Sequence, residues 1–71
     1  MNKEELQKKV GQRIVQLRTQ KNWSQADLAR ACNKDRQSIE RIENGKVAPS
    51  LYSLYEISQA LEVSLAKIFL L

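Results

Sequence analysis

The sequence predicts an all-α fold, a compact bundle of five short helices. Apolar residues recur three and four positions apart along most of the chain, the spacing that places them on one face of a helix. Only two glycines and one proline occur among 71 residues, too few for the many turns of a β-protein. Hydrophobic residues make up 42% of the chain, an ordinary share for a globular protein. We therefore expect a single domain over residues 1–71.

The first helix is expected to begin at Asn2 and to end near Lys21 or Asn22. Asn2 and Glu5 have the spacing of a capping box. Gly11 lies inside this helix, where glycine costs up to ~1 kcal/mol relative to alanine. Such a glycine either marks close packing against a neighbouring element or is simply tolerated. The apolar face of the helix is predicted to carry Leu6, Val10, Ile14 and Leu17.

Two short helices follow. Ser24 begins the second helix, with Asp27 in the capping-box position. Asp35 caps the third helix, which Asn44 and Gly45 end because glycine readily takes the left-handed turn. On the second helix, Leu28, Ala29 and Cys32 are predicted to face inward. On the third helix Ile39 and Ile42 point inward, and the predicted outward residues are Arg36, Gln37, Glu40 and Arg41.

Ser50 and Ser64 are predicted to cap the last two helices. The inward residues of the fourth helix are Leu51, Leu54, Ile57 and Leu61, and those of the fifth are Leu65, Ile68 and Phe69. Leu70 and Leu71 then have little chain left to bury them. We expect them either to join Leu65 or nearby loop residues in a two-fold dimer contact, or to form a frayed end.

Only three residues, Asn33, Lys34 and Asp35, separate the patterns of the second and third helices. So short a connection forces the two helices to cross sharply and to share one core with the first helix. This is the geometry of a helix-turn-helix, predicted here over about residues 24–44. The outer side of the third helix is left uncovered, and the N-terminal end of such a helix can enter the major groove of DNA.

The positive charge is concentrated in one part of the chain. The net charge is +4, and residues 1–49 hold 11 Lys and Arg against 6 Asp and Glu. A basic surface of this kind attracts nucleic acid, because Lys and Arg displace counterions from phosphates. A basic surface that is merely solvated remains the other interpretation of the charge.

Several classes of function are excluded by composition. The chain has no histidine and a single cysteine, Cys32, so neither a zinc site nor histidine acid–base catalysis is expected. Cys32 is expected to be a small buried filler. With no nucleophile–base pair in view, we expect no enzyme activity and no cofactor. No signal peptide or membrane span is evident. We expect a cytoplasmic protein with no membrane partner and, for want of an effector domain, no small-molecule ligand.

Five blocks of the sequence together resemble the Cro and lambdoid phage repressor family, the XRE type of helix-turn-helix protein. The similarity covers about residues 10–69, and the spacing of the blocks is that of the family. The blocks are GQRI at 11–14 with LR at 17–18, SQADLA at 24–29, SIERIENG at 38–45, PSL at 49–51 and VSL at 63–65. The resemblance implies a lambda-repressor-like fold of five helices, binding to double-stranded DNA and a homodimer on a palindromic operator.

The resemblance also implies roles for single residues. Its base-facing positions correspond to Arg36, Gln37 and Arg41, and Ser38 beside them is expected to contact a base edge or the backbone. Arginine can bond guanine and glutamine can bond adenine, although solvent exposure, or a phosphate contact for Arg36, would also explain these side chains. The implied phosphate contacts are Gln25, Lys34, Asn44 and Lys46. Arg18 and Glu43 correspond to a partly buried, structural ion pair.

Four positions depart from the family pattern or admit two interpretations. Asn33 and Glu62 stand where the family often has glycine, and Lys34 replaces a residue that is often smaller or apolar. Glu40 could accept a hydrogen bond from cytosine, but an intrahelical ion pair with Arg36, four residues earlier, is preferred.

The resulting functional hypothesis is a sequence-specific transcriptional regulator, a repressor that acts as a dimer. The alternative is an antitoxin or another small regulator whose main contact is a partner protein. A purely structural helical module is a third possibility, and it predicts no salt-dependent affinity for DNA.

Overall fold

The computed structural model describes residues 1–71 and confirms the all-α prediction. It contains five helices and no strand: α1 (Lys3–Gln20), α2 (Gln25–Ala31), α3 (Arg36–Glu43), α4 (Leu51–Ala60) and α5 (Leu65–Ile68). The molecule measures 30 × 23 × 21 Å along its principal axes. None of the helices combines the length and the hydropathy that crossing a membrane requires.

Polar side chains begin four of the five helices. Each accepts a hydrogen bond from the backbone N–H three residues later, which satisfies a donor that has no partner within the helix; these residues are Asn2, Ser24, Asp35 and Ser50. At Ser24 the capping box is complete, because the Asp27 carboxylate also accepts from the Ser24 N–H at 2.8 Å. Ser64 stands at the start of α5 but its side chain makes no capping hydrogen bond.

Left-handed residues end the first four helices. Asn22, Asn33, Gly45 and Glu62 have φ values of 59°, 59°, 70° and 60°. In each case the next residue donates its N–H to a carbonyl five positions earlier, the bond of a Schellman motif, as from Lys34 to Ala29 at 2.8 Å. Asn33 and Glu62 therefore make the turns at which glycine is common in the family, even though they carry side chains.

All five helices or their capping residues contribute to one apolar core. Ile14, Ile39, Ile57 and Ile68 are fully buried, together with Leu28. The other apolar residues of the core are Val10, Leu17, Ala29, Cys32, Ile42, Leu54 and Leu61. Cys32 is the buried filler that the sequence predicts. Its burial raises the pKa of the thiol, which keeps it protonated and unreactive.

Three apolar residues predicted to face inward lie largely at the surface. Leu6 is 42% exposed, because the burial of α1 begins only at Val10. Leu51 is 69% exposed, because it is the first residue of α4 and no neighbouring element covers it. Phe69 is 43% exposed, because α5 ends at Ile68, which takes the core position.

Candidate nucleic-acid interface

The two sides of α3 have opposite character. Ile39 and Ile42 are buried, at 0% and 6% exposure, and hold the helix on the core. Arg36, Gln37 and Arg41 are exposed on the outer side. Ser38, also predicted to face bases, is half-buried, and its backbone N–H donates to the capping carboxylate of Asp35 at 2.6 Å. The outer side of α3 therefore presents long polar side chains on a helix whose position is fixed.

The C-terminal end of α3 is held tightly against α1. A Cβ placed on Gly11 would lie 2.3 Å from the Glu43 carbonyl oxygen and 2.6 Å from that of Ile42. The prediction that Gly11 marks close packing is thus confirmed. The loop after α3 is fixed as well, because Gln7 Nε2 of α1 donates to the Gly45 carbonyl at 3.1 Å.

Arg18 and Glu43 meet in a buried, two-point ion pair between α1 and α3. Arg18 Nε lies 2.7 Å from Glu43 Oε2, and Arg18 Nη2 lies 3.0 Å from Glu43 Oε1. The side chains are only 12% and 2% exposed. Arg18 Nη1 also donates to the Trp23 carbonyl at 2.8 Å. The geometry is that of the structural pair that the family resemblance implies, and it ties α1 to both ends of the helix-turn-helix unit.

Gln25, the first residue of α2, extends this network to the start of α3. Its Nε2 donates to Glu43 Oε1 at 3.0 Å, and its Oε1 accepts from Arg36 Nη1 at 3.2 Å. A side chain expected at a DNA phosphate thus lies half-buried between the buried carboxylate and an exposed arginine of α3.

The prediction that Glu40 pairs with Arg36 was wrong as to the partner. Glu40 Oε1 accepts instead from Asn44 Nδ2 at 2.6 Å and from Lys46 Nζ at 3.2 Å. These two donors, with the Lys46 bond contributing most, lower the pKa of the Glu40 carboxyl. Arg36 is directed toward Gln25. The i to i+4 spacing of Glu40 and Asn44 was visible in the sequence and could have indicated this contact.

Lys34, expected from the resemblance at a DNA phosphate, is engaged within the protein. Its Nζ lies 2.9 Å from Glu56 Oε1 and 3.3 Å from Ser53 Oγ of α4, and its side chain is 17% exposed. The contact ties the turn between α2 and α3 to α4. Sequence reasoning did not single out Glu56, because 22 residues separate the partners and no local pattern links them.

Arg36 and Arg41 are the cations of this region that make no ion pair. Between residues 22 and 66 the other Lys and Arg side chains lie within ion-pair distance of a carboxylate, Arg30 with Asp27, Lys34 with Glu56 and Lys46 with Glu40. A polyanion can therefore bind Arg36 and Arg41 without breaking an existing ion pair. No cluster of side chains suited to holding a metal ion is present.

Two short helices joined by a tight turn, with a buried inner side and a basic, polar outer side, define a helix-turn-helix DNA-binding domain. Comparison with known proteins agrees with this class. The model of the helix-turn-helix family HTH_3 matches residues 14–68. The chain therefore belongs to the HTH_3 family, the XRE and Cro/C1 type of DNA-binding transcriptional regulator. The members of this family are regulators rather than enzymes.

Individual relatives are of the same kind. An uncharacterized HTH-type transcriptional regulator of Sinorhizobium fredii, y4dJ, is 32% identical over 60 residues, which cover 84% of this chain and 78% of that protein. The crystal structure of the restriction-modification controller protein C.AhdI from Aeromonas hydrophila is 34% identical with a TM-score of 0.86, covering 87% of this chain and 94% of that chain. The hypothetical transcription factor NHTF from Neisseria is 26% identical with a TM-score of 0.89, covering 99% and 80%.

Proposed function

We propose that the protein is a sequence-specific repressor that binds a palindromic operator as a homodimer. The observation that carries the proposal is the exposed side of α3, where Arg36 and Arg41 have no carboxylate partner and Gln37 is free to reach a base edge. The buried side of the same helix is fixed by the core and by the Arg18–Glu43 pair. A rigid helix with free polar side chains is what direct readout of a base sequence needs.

Base contacts are assigned to Arg36, Gln37, Ser38 and Arg41. Arginine can donate two hydrogen bonds to O6 and N7 of guanine, and glutamine can pair with N6 and N7 of adenine. Ser38, half-buried near the N-terminus of α3, is the shortest of the four and is assigned the contact nearest the helix axis. Each well-formed two-bond contact discriminates against the wrong base by ~1–3 kcal/mol.

Phosphate contacts are assigned to Gln25, Asn44 and Lys46, which flank α3 at its two ends. Such contacts position the protein on the duplex without reading sequence. Asn44 and Lys46 are exposed, and both donate to the Glu40 carboxylate. A phosphate can replace Glu40 as the partner of the Lys46 ammonium at little cost in free energy, because Glu40 keeps its hydrogen bond from Asn44. Lys34 is left out of this group, because a phosphate contact would break its bonds to Glu56 and Ser53.

The dimensions of the molecule support a dimer. Half-sites of a helix-turn-helix operator lie one turn of DNA apart, about 34–36 Å, whereas the longest extent of one molecule is 30 Å. One copy therefore reads one half-site. An exposed apolar surface suited to a second copy is formed by Leu51, Tyr52, Tyr55 and Leu65. The rings of Tyr52 and Tyr55 lie at a centroid distance of 6.1 Å, tilted by 35°.

This surface shares Leu65 with the dimer contact that the sequence suggests, but it does not include Leu70 and Leu71. Leu70 and Leu71 lie in another groove, beside Lys9, Gln12, Arg13 and Gln16 of α1. We assign the dimer contact to the Leu51–Tyr52–Tyr55–Leu65 surface. Tyr52→Glu is then expected to lower the dimer fraction in sedimentation at tens of micromolar, whereas Leu71→Glu leaves it unchanged. The reverse result would return the contact to the C-terminus.

The experiment that tests the function is selection from a pool of randomised duplexes at physiological salt. We expect a palindrome whose half-sites lie about 34–36 Å apart. Gln37→Ala should then relax the preference at one base pair of each half-site. Gln59→Ala, an exposed glutamine on α4, is the matched control and should change nothing.

Two results would contradict the proposal. Recovery of no consensus, with weak binding that vanishes as salt rises, would show only non-specific attraction to phosphates. A consensus without two-fold symmetry would keep specific readout and reject the dimer.

A further inference from the structure

Glu40 is an acidic residue on the outward side of α3, among the residues assigned to bases. Helical spacing puts it in one row with Arg36 and Asn44, four positions before and after it, while Gln37 and Arg41 form the neighbouring row. Its side chain is 29% exposed. A rise of about 1.5 Å per residue puts Glu40 about 6 Å along the helix axis from Arg36. A base pair contacted by Glu40 is therefore different from the one assigned to Arg36.

One oxygen of the Glu40 carboxylate is bonded within the protein and the other is free. The hydrogen bonds from Asn44 Nδ2 at 2.6 Å and from Lys46 Nζ at 3.2 Å both go to Oε1. Oε2 accepts no hydrogen bond within the protein. Arg36, the partner that helical spacing suggests, bonds to Gln25 instead. The side chain is thus anchored through one oxygen, and one acceptor remains for another molecule.

The contacts at Oε1 also keep this acceptor charged. The Lys46 hydrogen bond, followed by that from Asn44, holds the pKa of the Glu40 carboxyl below its ordinary value of 4.5. At neutral pH the group is therefore a carboxylate, which accepts hydrogen bonds and donates none. The positive charges of Lys46 and Arg36 lie close enough to act on this carboxylate, so they reduce its repulsion of DNA phosphates.

A charged acceptor in the major groove favours one base over the other three. Cytosine presents the N4–H donor there with no acceptor beside it on the same base. Adenine places the acceptor N7 beside its N6–H donor, guanine presents the two acceptors N7 and O6, and thymine presents the acceptor O4 and a methyl group. Each of these acceptors repels a carboxylate. Cytosine is therefore the base that the free oxygen of Glu40 suits best.

We propose that Glu40 is a specificity-determining residue that accepts a hydrogen bond from N4 of one cytosine in each half-site. This inference rests on the DNA-reading role proposed for α3 above, and it adds an acceptor to a surface whose arginines only donate. When a phosphate takes the Lys46 ammonium, Asn44 still occupies Oε1. Oε2 is then the oxygen left for the cytosine.

The first arm of the test repeats the selection of operators with Glu40→Gln. The glutamine amide has nearly the shape of the carboxylate but donates as well as accepts, so it no longer favours cytosine. The unaltered protein should prefer cytosine about tenfold at one base pair of each half-site, and Glu40→Gln should abolish most of that preference. Preferences at the base pairs read by Arg36 and Gln37 should be unchanged.

Glu4→Gln is the matched control for the change in charge. Glu4 is an exposed carboxylate in the first turn of α1 and makes no ion pair. Both variants remove one negative charge, so both should raise the affinity for non-specific DNA. Glu4→Gln should leave every base preference as it is in the unaltered protein. Loss of the same cytosine preference in Glu4→Gln would attribute the effect to net charge and overturn the inference.

The second arm uses the unaltered protein with a modified operator, so it is decisive even if a variant fails to fold. Methylation of cytosine N4 replaces the hydrogen that points into the major groove and leaves the one that pairs with guanine. N4-methylcytosine at the selected base pair should weaken binding about tenfold. The same modified base outside the half-sites should have no effect. Unchanged affinity for the operator methylated within the half-sites would overturn the inference.

Glu40→Ala tests whether the effect of the methyl group passes through Glu40. This variant has no acceptor at position 40, so it should bind the methylated and unmethylated operators alike. A loss as large as that of the unaltered protein would show that the methyl group interferes with another contact. That result would also overturn the inference.

The outcomes separate this inference from the proposed function. If the unaltered protein prefers no sequence, the repressor proposal fails and the role of Glu40 fails with it. A palindromic consensus whose base preferences all survive Glu40→Gln would keep the repressor and reject the inference. An equal loss of preference at the base pairs assigned to Glu40 and Gln37 would show a general weakening of readout and would also reject it.

Discussion

The two ends of α3 differ in how their side chains are held. At the C-terminal end Glu43 is 5% exposed, is paired with Arg18 and packs against Gly11 of α1. At the N-terminal end Arg36 and Gln37 are exposed, and the helix is held there mainly by the Asp35 cap. One end is fixed by buried charge and close backbone contact. At the other end the only side-chain hydrogen bond of these exposed residues is that from Arg36 to Gln25, which leaves the side chains available to a partner.

This difference shows how a very short helix can bind another molecule precisely. Eight residues make barely more than two turns, too few to be a stable helix in isolation. The position of α3 therefore depends on the contacts of its C-terminal half. Because those contacts use residues that do not face outward, the sequence of the outward residues is free to change with the operator. We expect substitutions at the two ends to separate into effects on stability and effects on binding.

The largest expected effect is on stability, from the buried ion pair. Glu43→Gln leaves Arg18 as a buried, unpaired charge, and we expect the free energy of unfolding to fall by ~3–5 kcal/mol. Glu62→Gln is the matched control, because Glu62 also pairs with a cation but is 78% exposed; its expected cost is ~0–1 kcal/mol. Urea denaturation measures both. Equal costs would show that burial of the Glu43 pair has no special importance.

The next effect tests the close approach of α1 to α3. Gly11→Ala would normally favour a helix by up to ~1 kcal/mol, but here the new Cβ would meet backbone oxygens at 2.3 and 2.6 Å. We expect a net loss of ~1–3 kcal/mol in unfolding free energy. Gln12→Ala, at the neighbouring exposed position of α1, should be neutral or slightly stabilising. A gain in stability for Gly11→Ala would contradict the close packing of α1 against α3.

At the outward side of α3 the expected effect moves from stability to binding. Arg41→Ala should weaken binding to the selected operator by ~1–3 kcal/mol, and unfolding free energy should stay within about 0.5 kcal/mol of the unaltered protein. Arg13→Ala would be a poor control, because Arg13 Nε donates to the Lys67 carbonyl. Lys3, at the start of α1 and exposed, is the better one, and Lys3→Ala should leave operator binding nearly unchanged. Similar losses for Arg41→Ala and Lys3→Ala would mean that net charge, rather than position on α3, governs binding.

The smallest effect is a pH dependence at the Asp35 cap. The Ser38 N–H holds the pKa of Asp35 below its ordinary value of 3.8. A lowered pKa stabilises the fold above that ordinary value, and the contribution is lost as pH falls through the lowered pKa. Asp35→Asn keeps a capping oxygen but does not titrate. The stability difference between the two proteins should therefore shrink as pH falls below about 5. A constant difference would show that the charge of Asp35 does not matter.

Local features of the fold could be predicted from the sequence. Helix starts are indicated by capping residues whose hydrogen bonds reach only three residues along the chain: Ser24 with Asp27, Asp35, and Ser50. They can be recognised without knowing how the rest of the chain folds. The inward positions of Ile14, Ile39 and Ile57 follow from helical spacing. The bulk of the core was therefore predictable. The end residues Leu6, Leu51 and Phe69 were predicted wrongly, because a period says which face a residue shares and not whether a neighbour covers it.

The pairing of charged side chains could not be predicted in the same way. Charged residues make up 28% of the chain, so each carboxylate has several possible partners. Glu40 binds Lys46 and Asn44 rather than Arg36, and Lys34 binds Glu56 of a distant helix. Which partner a charged side chain pairs with depends on how the helices and loops are arranged relative to one another. The base and phosphate contacts remain predictions for the same reason, since they depend on a partner molecule.

The most direct test of the account is an NMR titration of the protein with the selected duplex, followed at side-chain N–H groups. We predict that the resonances of Arg36, Gln37 and Arg41 shift and broaden, whereas the Arg18 Nε–H bonded to Glu43 keeps its free-protein position. This result would show that one end of α3 contacts DNA while the other stays fixed. Shifts confined to the surface of Leu51, Tyr52 and Tyr55, with the α3 resonances unmoved, would contradict the account.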